Sequence, residues 1–295
     1  MLVGTSARAR QVLIEIWRPL ALLFVWDVAV TVFHFYTAFK EPALPTALFG
    51  TVLALFLGFR TNAAYARWWE ARTLWGSLIN TSRSLARVAR SLVGPRTDLA
   101  SLRDAVVLRQ AAFAQALRCQ LRGKDPASEI ARLAGEPAAT AATARKNPAN
   151  ALLEQISELY AEAVAQGAID TIQQATVERL LIDLSNAQGG MERIRNTPLP
   201  NGFRFFPSLF TRIFCILLPI ALVESLGIAT PIGSTLVGLI FLVVLSIGSD
   251  LADPFANTVH DVPLEAMCRT IEIDLLEALG REAPDPLQPV RGILW

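Results

Sequence analysis

The sequence predicts an all-α membrane protein with four spanning helices in two hairpins and a large helical region outside the bilayer. Three observations carry that prediction. Four stretches are apolar and long enough to compete for a membrane, and they lie in pairs on either side of a polar middle. Within that middle, apolar residues recur at helical spacing. No run alternates apolar and polar residues for long enough to build a sheet. Composition agrees: only 18% of the 295 residues are charged, against the usual quarter, and mean hydropathy is positive. A soluble bundle is the alternative, but two apolar hairpins around a polar block are hard to bury in water.

The first apolar segment, residues 19–39, holds Asp27 and His34, and the second, 44–66, holds Arg60 as its one charge. The third, 209–228, contains Arg212 and Glu224, and the fourth, 231–248, contains no charge. The second is the most telling. Residues 44–72, LPTALFGTVLALFLGFRTNAAYARWWEAR, pass without a helix breaker from an apolar run into a basic, Trp-rich amphipathic continuation. A core helix of a soluble protein would be capped and stopped, whereas a span feeding a helix outside the membrane simply continues.

Sidedness follows from the basic residues. Arg8, Arg10 and Arg18 precede the first segment, and Arg60, Arg67 and Arg72 end or follow the second. Arg204 and Arg212 precede or open the third. The short links are a turn at Lys40–Glu41 and the uncharged GIATPIG. Both termini and the middle block are therefore expected in the cytoplasm. No cleavable signal peptide is expected. The division is 1–66 for the N-terminal helix and first hairpin, 67–205 for a cytosolic helical region, 206–250 for the second hairpin, and 251–295 for a C-terminal cytosolic segment. Trp17, Trp26, Trp68, Trp69 and Trp75 suit membrane interfaces or subunit contacts, since an indole joins an apolar body to a polar N–H.

In the middle block a helical apolar pattern runs from Leu74 through Leu92, breaks at Gly94–Pro95, and resumes after a cap region at Thr97 as far as Leu121. Residues 134–150, AGEPAATAATARKNPAN, read as an exposed loop. Two further helices fit 151–165 and 169–187, the second closed by Gly189–Gly190.

Catalytic chemistry is absent. There is no P-loop, GxGxxG, HExxH or GxSxG, and no nucleophile stands beside a base and its orienting partner. Glu178 and Asp183 read as a solvated helix face, and Glu192–Arg193 as either a functional pair or a surface ion pair. His34 and His260 are the only histidines, and Cys119, Cys215 and Cys268 are singletons, so no metal site and no cofactor are expected. A net charge of +1 argues for no nucleic-acid partner.

The second segment offers another kind of chemistry. Thr51, Leu55 and Phe59 are spaced four apart and form a narrow stripe on one helix face. Were several copies of this helix to ring an axis, each position would become a collar, and an apolar collar stops ions by dewetting. Ordinary helix packing is the other reading. Arg60 lies just below and either faces the mouth of such a ring or snorkels. Asp27, His34, Arg212 and Glu224 are costly in a span, which makes them either pore residues or interhelical anchors.

These motifs together resemble the bacterial bestrophins. GFRTNAAYARWWEARTLWGSLINTSRSLAR at 58–87 is similar to the family's signature, and GGMERIRNTPLP at 189–200 to the stretch leading into its second hairpin. ADPFANTVHDVPLEAMCRTIEIDLLEAL at 252–279 resembles its closing segment, where a DPF or NPF turn precedes a long helix. The resemblance covers nearly the whole chain. It implies a bestrophin-like homopentameric ion channel, with a pore neck at Thr51, Leu55 and Phe59 and a cytosolic aperture near Ala175 or Thr176. Thr51 departs from the apolar pattern, since a hydroxyl holds water. The calcium-activated animal members carry an acidic clasp after the NPF turn, where this chain reads ANTVHD with Asp261 alone, so calcium-independent behaviour is expected. The functional expectation is a non-enzymatic channel for small monovalent ions, anions favoured, in contact with the lipids of a bacterial inner membrane. A cation channel of the same fold, a secondary transporter and a non-conducting scaffold are the alternatives.

Overall fold

The computed structural model describes residues 5–37, 44–93 and 96–295, with side chains at 14–37, 44–92, 96 and 98–295. The turn at Lys40–Glu41, the segment end at Phe39, the break at Gly94–Pro95 and the side chains of Arg8, Arg10 and Thr97 lie outside the described residues. Among the described residues there are ten α-helices and no strands, only a lone bridge between Val290 and Ile293.

Four helices take up the apolar segments: α1 (Thr5–Tyr36), α2 (Thr46–Val93), α8 (Asn201–Leu226) and α9 (Thr230–Asp250). The stretch containing α8 and α9 is strongly apolar and folds back at Gly227, whose φ of 53° is costly for any other residue. α9 occupies the centre of this bundle, against α1, α2 and α8. Close approach is built in, because a Cβ on Gly238 would stand 2.2 Å from Leu23 of α1. Pro207 and Pro219 lie inside a continuous α8, and Pro231 sits in the first turn of α9, where its missing N–H costs nothing.

α2 is 48 residues long, which at 1.5 Å per residue is about 72 Å, more than twice the ~30 Å of a hydrocarbon core. Its upper part contributes Leu53 and Leu57 to a small apolar cluster with Phe214 and Leu218 of α8. Its lower part contributes Ala71, Trp75, Leu78, Leu85 and Ala89 to the main core. That core also contains α3 (Ala100–Leu121), α4 (Ala127–Ala134), α5 (Glu136–Thr143), α6 (Pro148–Ala165), α7 (Thr171–Asn196) and α10 (Leu264–Ala278). Trp75 is fully buried there and is not an interface tryptophan, whereas Trp17 and Trp69 are exposed.

Two details differ from the sequence reading. The expected loop at 134–150 is mostly helix, because alanine favours helix and the stretch has a buried side: Ala138, Ala139 and Ala142 pack in the core. Its prolines sit in first turns, and Asn147 caps α6 by accepting the N–H of Asn150 at 3.0 Å. The double glycine does not close α7, which begins at an Asp170–Gln173 capping box and runs on to Asn196. Gly190 is there for contact, since a Cβ on it would meet Leu74 of α2 at 2.8 Å.

Candidate functional site

The upper part of α2 has two faces of opposite character. Leu53, Leu57, Arg60 and Ala64, at helical spacing, are buried against the rest of the bundle. Thr51, Leu55 and Phe59 are exposed, the last two at 60% and 62%. The open face continues past the apolar segment through Asn62, Ala66, Trp69, Thr73, Ser77 and Asn80, all exposed and separated by steps of three and four. It ends at Arg83, Arg87 and Arg90, also exposed. One side of α2 is thus left uncovered along its length, while α3, α7, α8, α9 and α10 cover the others. Its chemistry is graded from apolar, through neutral polar, to basic.

The polar residues within the spans separate into distinct roles. Arg60 is 3% exposed and points away from the open face. Its Nε donates to the Phe203 carbonyl at 2.7 Å, Nη1 to the Leu245 carbonyl at 3.1 Å and Nη2 to Ser249 Oγ at 2.9 Å. Gly248 makes room for the guanidinium, because a Cβ there would lie 3.0 Å from Nη1. Asp27 is fully buried between α1 and α9 and accepts Ser234 Oγ at 3.1 Å and Thr235 Oγ1 at 2.7 Å. Both residues hold helices together, the outcome that charges buried in a span require. Glu224 and Arg212 are exposed on α8, and His34 is half-buried, edge-on to Phe35. Thr51 spends its hydroxyl hydrogen on the Ala47 carbonyl at 2.8 Å, so only oxygen lone pairs remain for an open face.

Ala175 and Thr176 are exposed in the first turns of α7. The Thr176 hydroxyl donates to the Ile172 carbonyl at 3.0 Å, and Ile172 itself is 77% exposed. Sequence reasoning missed Ile172. The signal was available, since the buried series Val177, Leu181, Leu184 and Met191 has helical phase and Ile172 falls outside it. Glu192 and Arg193 do not pair with each other. Glu192 accepts from Gln120, Asn147 and Gln188, and Arg193 meets Glu70 of α2. Asp261 closes the turn before α10, accepting the Thr258 N–H at 3.1 Å and its hydroxyl at 2.6 Å.

Comparison with known proteins places this architecture. The profile described as Bacterial/Fungal Bestrophin protein matches residues 4–277. The voltage-dependent anion channel-forming protein YneE of Escherichia coli (strain K12) is 37% identical, over 93% of this chain and 90% of that protein. The similarly named protein mll4386 of Mesorhizobium japonicum is 36% identical, over 83% and 77%. Among solved structures, a bacterial bestrophin homolog from Klebsiella pneumoniae superposes with a TM-score of 0.85 at 32% identity, over 90% of this chain and 99% of that one.

Proposed function

Because the chain belongs to the bacterial and fungal bestrophin family, we propose that it is an anion channel whose path follows the open face of α2 around an axis shared by several copies of the chain, five by the family resemblance. The observation that carries this reading is the uninterrupted uncovered face, from Thr51, Leu55 and Phe59 down to Arg90. In a single copy that face is unpartnered. Around an axis it gives an apolar collar, a wetted polar stretch and a basic far end. Leu55 and Phe59 form the neck, where an ion sheds water without replacement, and Thr51 supplies a softer entrance above them. Ala175 and Thr176, with Ile172 one turn away, line a second constriction on α7. The membrane is the bacterial inner membrane with both termini cytoplasmic, as the arginine distribution favours.

Anions are favoured over cations by charge along the path. Arg87 and Arg90 project from the end of the open face, while the carboxylates nearby are paired, Asp274 with Arg83 at 2.7 Å and Glu70 with Arg193. A cluster of that sign raises the local anion concentration. The transporter reading has less support, since Pro219 and Pro231 interrupt no helix and leave no unwound binding segment. The test is planar-bilayer recording of purified protein under a potassium chloride gradient. A reversal potential near that of chloride is expected, and one near that of potassium would replace the anion reading with a cation channel. Leu55→Ala is expected to raise open probability or conductance; unchanged values would remove Leu55 from the constriction.

A further inference from the structure

The sequence offers no metal site by pattern, because its two histidines are far apart and its three cysteines are singletons. Folding changes this for His260. It brings together Glu15 of α1, Asp250 at the end of α9 and His260 in the turn before α10. His260 Nε2 stands 3.5 Å from Asp250 Oδ2 and 3.9 Å from Glu15 Oε1, and one ligand atom of each residue lies within 4.8 Å of the others. A tetrahedral ion with bonds near 2.0–2.1 Å holds its ligand atoms about 3.4 Å apart. The three atoms are therefore within a small side-chain adjustment of that geometry.

Two further observations point to a cation. Asp250 Oδ2 and His260 Nε2 are both sealed from solvent, and neither makes a hydrogen bond. A buried carboxylate oxygen facing a bare ring nitrogen is costly unless something positive sits between them. Glu15 and Asp261 are the like charges that act on Asp250, and His260 is the opposite one. The surroundings also orient the candidate ligands. Ser246 Oγ donates to Glu15 Oε2 at 3.2 Å, and Trp68 Nε1 donates to the His260 carbonyl at 3.2 Å. Asp261 is occupied in closing the turn and is no ligand.

We propose that Glu15, Asp250 and His260 form a site for a divalent transition metal of the zinc class, with a fourth position open to water. One imidazole with two carboxylates suits such an ion, whereas calcium takes six to eight oxygens. The ion pins the start of the membrane bundle and its last helix to the turn that leads into α10. The site stands on its own geometry and is independent of the conduction reading.

The test uses the full chain purified in detergent, freed of metal with a chelator and titrated with zinc chloride by equilibrium dialysis, with cobalt(II) as a spectroscopic probe. One zinc per subunit is expected, together with the visible absorption of four-coordinate cobalt. His260→Gln and Asp250→Asn should each weaken zinc binding at least tenfold and abolish the cobalt band, while His34→Gln retains both. Melting midpoints without metal check that each variant folds; Glu15→Gln carries the same expectation if one does not. Absence of zinc binding by the unmutated chain overturns the proposal. So does equal affinity in His260→Gln, which would move the ion to the buried cysteines, or displacement of zinc by an equal concentration of calcium.

Discussion

Arg60 shows how a single side chain can carry the cost of a charge in a membrane. Its guanidinium satisfies two carbonyls and a hydroxyl on α8 and α9. Arg60→Met would leave the Phe203 carbonyl unpaired in an apolar setting, since Pro207 has no N–H to offer it, whereas the Leu245 carbonyl keeps the Ser249 hydroxyl at 2.9 Å; the cost is about 1–3 kcal/mol. The expected result is a lower melting midpoint in detergent with the reversal potential unchanged, because Arg60 does not face the ion. A shifted reversal potential would return Arg60 to the path. The sequence read Arg60 as facing a pore mouth or snorkelling and Asp27 as a pore residue or an anchor, and it hid their partners: Phe203, Leu245 and Ser234 are remote in the chain. The same remoteness hid the Glu15–Asp250–His260 group. By contrast, the Thr51–Leu55–Phe59 stripe needs only helical spacing, so it was legible beforehand.

At the scale of the element, adjacent glycines of α7 have opposite roles. Gly190 faces Leu74 so closely that Gly190→Ala should cost about 1–3 kcal/mol by overpacking. Nothing stands within 4 Å of a Cβ on Gly189, and Gly189→Ala should stabilise the helix by up to about 1 kcal/mol. Thermal melting of the two variants checks the pair, and equal shifts would refute the packing role of Gly190. Local rules read the double glycine as a stop, since glycine is a common cap. Tertiary contact overrode them. The Ala-rich stretch at 134–150 was misread for a related reason: its composition is loop-like, yet Ala138, Ala139 and Ala142 have a core to enter. Helices with a long apolar period, α2 above all, were plain from the sequence because they depend on nothing distant.

At the scale of the whole molecule, charge decides behaviour at the far end of the body. Around Glu272, burial pushes the carboxyl up, but the hydrogen bond and charge of Arg132, with the charge of Arg269 and a hydrogen bond from Gln115, outweigh it and hold the group below its ordinary 4.5. A depressed carboxylate stabilises the fold above 4.5, and that contribution is lost as pH falls through the lowered value. Glu272→Gln should therefore flatten the acid side of a stability–pH profile, and an unchanged profile would remove this pair from the acid response. Charge at the basic end of α2 should show itself in salt dependence: replacing Arg87 and Arg90 with Gln should lower conductance in dilute salt and little in concentrated salt, where the screening length shrinks to about 3 Å. Equal conductance in dilute salt would exclude these arginines from the ion path. The length of α2 matters mechanically as well. It has no proline and enters both cores, so it behaves as a lever. Pivoting a rod of about 72 Å through about 3° moves its tip by about 4 Å, comparable with the width of a side chain. A small angular adjustment of the body is thereby magnified at the level of Thr51, Leu55 and Phe59, and in the proposed collar such a displacement would separate closed from open.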